Sequence, residues 1–124
     1  MSQDIVADGL NKIMNASRAG KKKVELKHHS KLLMSVLAIA KLRGYIKHYE
    51  IIDKTLNVEI GNLNSCSAIK PRFMVQTDEM EKYSKRYLPA KNIGVLIIST
   101  SKGLMTHLTA LEKNIGGSLV AYIY

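Results

Sequence analysis

Apolar and polar positions along the chain change their period several times, and each change marks an element. Ile5, Val6, Leu10, Ile13 and Met14 recur on one half of a helical surface. Asp4 suits the N-cap of that helix, with its charge toward the positive end of the dipole, and Gly20 suits its stop. Val24-Glu25-Leu26-Lys27 then alternates as a half-exposed strand does. Ser30 reads as the N-cap of a second helix over residues 31–43. Leu32, Leu33, Val36, Leu37, Ile39 and Ala40 spread over a broad arc of it, leaving Lys31, Ser35 and Lys41 on a narrow polar side. After Gly44, residues 45–52 and 56–60 flank Asp53-Lys54 as the two arms of a hairpin. The first half therefore predicts the order α-β-α-β-β.

Gly61-Asn62-Leu63-Asn64-Ser65 is polar and turn-prone, which sets an expected lobe boundary between residues 1–62 and 63–124. Residues 66–75 read as extended but contain Lys70-Pro71-Arg72. Proline donates no ladder hydrogen bond, so an edge strand, a bulge or a strand break is expected. A short helix follows Thr77, acidic at its start (Asp78, Glu79, Glu81) and basic later (Lys82, Lys85, Arg86). Residues 93–98, rich in branched aliphatics, predict a buried strand. That run stops at Ser99-Thr100-Ser101-Lys102-Gly103, expected as a polar loop before a helix over residues 106–113 and a last strand over 119–124. The fold class is α+β: two closely packed lobes, the second mainly β with short helices.

Composition narrows the function. Hydrophobic residues make up 46% of the chain, too many for a disordered tail. Nineteen Lys and Arg against ten Asp and Glu give a formal charge of +9, which calls for an anionic partner. The excess is spread over both halves, eleven cations to six acids in residues 1–62 and eight to four in 63–124, so no charged tail explains it. A single cysteine, Cys66, excludes an intramolecular disulfide and a multi-cysteine zinc site. No apolar run approaches the ~18–20 residues a membrane span needs. Met-Ser-Gln-Asp has the character of no secretory leader, and a cytoplasmic protein without membrane attachment is expected.

Catalytic constellations are sparse. His28, His29, His48 and His107 lack a metal-ligand spacing and read as surface residues, and Cys66 reads as a small core or interface residue. The Ser99–Thr100–Ser101–Lys102–Gly103 stretch has a partial likeness to a phosphate cradle. Lys102 precedes Gly103, however, whereas a P-loop requires the reverse order and an upstream glycine. An ordinary turn remains open for it. So does RNA recognition, because hydroxyls and backbone amides bind phosphate oxygens and ribose 2′-hydroxyls without a metal. Lys70, Arg72, Lys82, Lys85, Arg86 and Lys91, with Tyr83 and Tyr87 among them, favour RNA. With no Trp and one Phe, the chain lacks an aromatic platform for single strands, so a folded RNA helix is the expected target.

The order Ile69-Lys-Pro-Arg-Phe73, Arg86-Tyr-Leu-Pro-Ala90, Gly94 through Ser-Thr-Ser-Lys-Gly-Leu-Met-Thr-His107, and Gly116-Gly-Ser-Leu-Val-Ala-Tyr122 resembles the universal family of the eighth small-subunit ribosomal protein, in its archaeal and eukaryotic branch. Asp4-x-x-Ala-Asp-Gly-Leu-Asn11, Ala19-Gly-Lys-Lys22, Ser30-Lys31 and Gly44-Tyr-Ile46 extend the likeness over nearly the whole chain. The resemblance implies a structural constituent of the small subunit, with no catalysis, cofactor, metal, membrane or small-molecule substrate. It would bind the central domain of small-subunit rRNA, support assembly and touch neighbouring small-subunit ribosomal proteins. It assigns RNA reading to Ser99, Thr100, Ser101, Lys102 and Gly103, and RNA proximity to Ser30, Lys31, Lys70 and Arg72. The hairpin near Asp53 is shorter than the family pattern, while His29, Ser67 and Leu108 replace residue types usual there. The alternatives are a regulatory RNA-binding protein outside the ribosome and a small phosphate-handling enzyme using Lys102.

Overall fold

A computed structural model of the chain describes residues 5–90 and 93–124, the side chains of Lys70 and Pro71 excepted. Asp4 and Lys91 therefore lie outside the described residues. Among the described residues the fold is α+β, with four α-helices and two sheets. The chain parts into two compact units, Met1–Ser67 and Ala68–Tyr124, where the polar segment had suggested a boundary after residue 62.

The first unit runs α1 (Ile5–Arg18), β1 (Lys23–Leu26), α2 (Lys31–Leu42), β2 (Ile46–Ile52) and β3 (Thr55–Ile60), the order the patterning predicts. Its sheet has the order β1-β3-β2, with both outer strands antiparallel to β3. Leu56, Val58 and Ile60 alternate on β3 as its buried set, and Leu26 lies opposite Leu56 in register. Val6, Leu10 and Ile13 of α1 and Leu33, Val36 and Leu37 of α2 are buried with them. Ser30 caps α2 as expected, its hydroxyl accepting from the Leu33 N–H at 3.2 Å. Asp53 and Lys54 take φ of +50° and +66°, the mirror-image turn that matches strand twist and closes the shortened β2–β3 hairpin in two residues.

Cys66 belongs to this unit. Its thiol faces the Leu10 carbonyl at 3.6 Å and is 4% exposed. Burial pushes the thiol up to about 12, with the Arg18 charge pulling weakly the other way. The folded value lies above the unfolded value of 9.0. The neutral thiol's contribution to stability is thus complete below pH 9 and is lost as pH rises toward 12. At pH 8 the native protein should resist iodoacetamide and take up one adduct only after unfolding, read by mass spectrometry; rapid native labelling would contradict this burial.

β4 (Cys66–Val75) leads into the second unit, followed by a 3-10 turn (Thr77–Glu79), α3 (Met80–Tyr87), β5 (Val95–Thr100), β6 (Gly103–Thr106), α4 (His107–Lys113) and β7 (Gly117–Ile123). The sheet order is β4-β7-β5-β6, so the proline-bearing strand is continuous and lies at an edge. Ile69, Val75, Leu96, Ile98, Met105 and Leu119 build the sheet side of a core that Met80, Leu88 and Ala110 complete.

Candidate nucleic-acid interface

β5 supplies the rigid base of the site. Val95, Leu96, Ile97 and Ile98 are wholly buried, so packing holds both faces of the strand, and the chain emerges at the exposed Ser99. The polar stretch after it is not the loop expected from the sequence. Ser99 pairs with Leu104 and Thr100 with Gly103, which makes residues 99–103 the tip of a β5–β6 hairpin with Ser101-Lys102 at the turn. The helix after it lies where the sequence placed it, over His107–Lys113, and its N-cap is Thr106, whose hydroxyl accepts from the Thr109 N–H at 3.2 Å.

Thr100 organises the tip. Its Oγ1 accepts from the Lys102 N–H at 3.1 Å and donates to the Gly103 carbonyl at 2.8 Å. One hydroxyl therefore ties both ends of the turn. Gly103 takes a φ of +110°, a conformation that L side chains rarely adopt, and it starts β6 in register. Ser99, Ser101 and Lys102 are exposed, and the serine hydroxyls make no side-chain hydrogen bond among the described residues. The tip thus presents two outward hydroxyls, one ammonium group and a backbone held in shape from within.

The other expected site residues lie elsewhere. The carbonyl of Val75 stands 2.7 Å from where a Cβ on Gly116 would fall, so the end of β4 and the start of β7 share one end of the sheet. Ser118 pairs with Ser99 at that same end. Arg72 is exposed on β4, two strand spacings (about 10 Å) across from β5. Lys70 is on the same strand, its side chain outside the described residues. Ser30 and Lys31 belong to the first unit, where Ser30 is half-buried in its capping role and Lys31 is exposed on the first turn of α2. The aromatic residues among the cations face protein. Tyr83 packs on Phe73 with ring centroids 5.1 Å apart, and Tyr87 stacks on Tyr122 at 5.7 Å.

His107 corrects the expectation that all four histidines are surface residues. It is 4% exposed, and its Nδ1 accepts from the buried Leu96 N–H at 3.1 Å. Nothing local in the sequence announces this role, because the donor lies eleven residues back. His107→Leu leaves that amide unpaired and should cost about 1–3 kcal/mol of stability, measured as a shift in denaturant midpoint. No group of three or more metal-ligating side chains is found among the described residues.

The hairpin, its buried support and the basic charge meet in comparisons with known proteins. A family model for "Ribosomal protein S8" matches residues 4–124. The chain belongs to the ribosomal protein S8 family. Like that family it is a structural ribosomal protein and no enzyme, so Lys102 is not part of a catalytic centre. The chain is 47% identical to the small ribosomal subunit protein uS8 of Nanoarchaeum equitans and 44% identical to that of Archaeoglobus fulgidus, each alignment covering the whole of both chains. A third relative, from Methanoregula boonei, is 45% identical over 96% of this chain and 95% of its own. The archaeal and eukaryotic branch expected from Lys-Pro-Arg-Phe and Arg-Tyr-Leu-Pro includes these archaeal relatives. As an S8 family member the chain is a ribosome component, and no described helix is long and apolar enough to cross a membrane.

Proposed function

We propose that this chain binds small-subunit rRNA directly, in its central domain, and supports assembly of the small subunit in the cytoplasm beside neighbouring ribosomal proteins. The observation that carries this reading is the β5–β6 tip. Two outward serine hydroxyls and Lys102 stand on a turn that Thr100 ties internally, at the end of a strand buried on both faces. Such a tip reads a folded RNA by shape and by 2′-hydroxyl and phosphate contacts. The formal charge of +9 supplies the sequence-independent attraction that brings the two together. Lys70 and Arg72 on the second unit, and Ser30 and Lys31 on the first, add contacts to the RNA backbone. Lys31 suits a phosphate because it adds an ammonium group to the N-terminal end of the twelve-residue α2.

Co-sedimentation of the chain with small subunits, together with a footprint on intact small-subunit rRNA, tests the proposal. Sedimentation apart from subunits, with a footprint only on messenger RNA, would instead select the regulatory alternative. Within the site, Lys70→Ala and Arg72→Ala should each weaken binding to all RNAs and flatten the salt dependence by about one counterion. An unchanged salt slope removes that side chain from the phosphate contacts.

A further inference from the structure

The sheet of the first unit ends on a strand that is paired on one side only. β2 bonds to β3 and lies at the edge of the order β1-β3-β2. The ladder fixes where its remaining backbone groups point. The Ile60 N–H donates to the Lys22 carbonyl at 2.7 Å, so the even-numbered residues of β3 bond toward β1 and the odd-numbered ones toward β2. His48 and Glu50, opposite Glu59 and Asn57, therefore bond within the sheet, while Tyr49 and Ile51 aim their N–H and C=O groups outward. The register runs unbroken from His48 to Ile52, and that span has neither the proline nor the lysine that commonly shields an exposed edge. The one register shift lies before it, between Ile46 and His48.

The two faces flanking this edge differ in character. On the core side, Ile51 stands opposite the wholly buried Leu56 yet is 48% exposed, because no further strand covers it. The half-buried Met34 and Ala38 share one face of α2 with Lys41, whose Nζ lies 5.9 Å from the centre of the Tyr49 ring, so that face is turned toward β2. On the outer side, Glu50 and Ile52 are exposed, and a groove of about 470 Å³ runs from them across the sheet. Glu25, Glu50 and Glu59 line it beside Lys23, and Lys47 reaches Glu59 at 3.8 Å, so three carboxylates meet two lysines. Glu50 contacts His48 at 3.8 Å but no Lys or Arg among the described residues. In a chain of formal charge +9, this face keeps a small acidic excess.

We infer that the Tyr49–Ile52 edge takes an extended segment of a neighbouring protein as a fourth strand, one in which apolar and cationic residues alternate. The main chain of that segment pairs with the outward groups of Tyr49 and Ile51. Successive side chains of a strand point to opposite faces, so its apolar residues fall beside Ile51 and its cations fall on the side of Glu50. Charge selects this occupant over the others. RNA brings phosphates to a face with a carboxylate excess, and a second copy of the chain brings +9 of like charge. That the segment belongs to a small-subunit neighbour rests on the proposed ribosomal role, whereas the edge itself does not.

Amide exchange of the full chain, followed by nuclear magnetic resonance, tests the edge with a short capped peptide that alternates valine and lysine. In the free chain the Tyr49 and Ile51 amides should exchange quickly while those of His48, Glu50 and Ile52 are protected. The peptide should slow Tyr49 and Ile51, and a peptide with the same valines and lysines in two blocks should not. Ile51→Pro removes an N–H that bonds nothing in the sheet, so the fold should persist by circular dichroism while peptide binding weakens about tenfold. Glu50→Lys should weaken it about threefold and serves alone if the proline unfolds the strand. Equal binding of the block peptide, or wild-type affinity in the folded variants, overturns the edge. So does slowing of the two amides by a higher concentration of the chain alone, which makes a second copy the occupant, or by small-subunit rRNA alone. In small subunits that have incorporated the chain, a photo-crosslinking side chain in place of Ile51 should join a segment of another protein in which lysine or arginine alternates with apolar residues. Crosslinks to RNA only, or none, overturn the neighbour. If the chain does not enter small subunits, the ribosomal proposal fails, and the peptide experiment still decides the edge.

Discussion

Gly117→Ala should lower the unfolding free energy by about 2–3 kcal/mol and abolish the preference for small-subunit rRNA under conditions where the protein is still folded. Gly117 opens β7 where it crosses the end of β5, and a methyl group there would fall inside contact distance of the Ser99 carbonyl and 2.8 Å from Ile98 Cγ2. Neither neighbour has room to yield. Ile98 is wholly buried, and the Ser99 backbone is held in the ladder between Leu104 on β6 and Ser118 on β7. The relief available is a shift of the end of β5, which carries the tip with it. A denaturant midpoint within about 0.5 kcal/mol of wild type would show that the crossing is looser than described. Wild-type RNA preference in a destabilised variant would show that the tip is not coupled to β7.

The elements legible in the sequence are those whose signal is long and periodic. Helix α1 shows its five apolar positions at helical spacing, and β5 shows an unbroken aliphatic run that only a strand buried on both faces carries. Pro71 limited the stretch to an edge strand, a bulge or a strand break, and of these the structure has the edge. β6 was not legible because it has four residues and begins with glycine, too short for any period to declare itself. The polar stretch before it therefore read as a loop leading straight to a helix. A two-residue turn between an aliphatic run and Leu104-Met105 is the signal that would have found the hairpin. The burial of His107 and the engagement of Tyr83 and Tyr87 depend on partners distant in the chain, so residue type alone favoured the surface in each case.

The serines and Thr100 act differently in the tip, and substitution should separate them. Ser99→Ala/Ser101→Ala removes the two outward hydroxyls and leaves the turn bonded as before. At about 1–3 kcal/mol for each lost contact, affinity for small-subunit rRNA should fall roughly a hundredfold, with little change on unrelated duplex RNA. Thr100→Val removes no outward group of that kind. It deletes the acceptor for the Lys102 N–H and the donor to the Gly103 carbonyl, so the tip loses its shape before it meets RNA. Its loss should be recovered in Thr100→Ser, which keeps the oxygen and discards only a methyl group, whereas neither serine position has such a rescue from within the protein. Equal losses on cognate and unrelated RNA in the double serine variant would mean that the tip supplies charge alone. A Thr100→Ser variant as weak as Thr100→Val would mean that the methyl group, and not the pair of turn hydrogen bonds, is what Thr100 contributes.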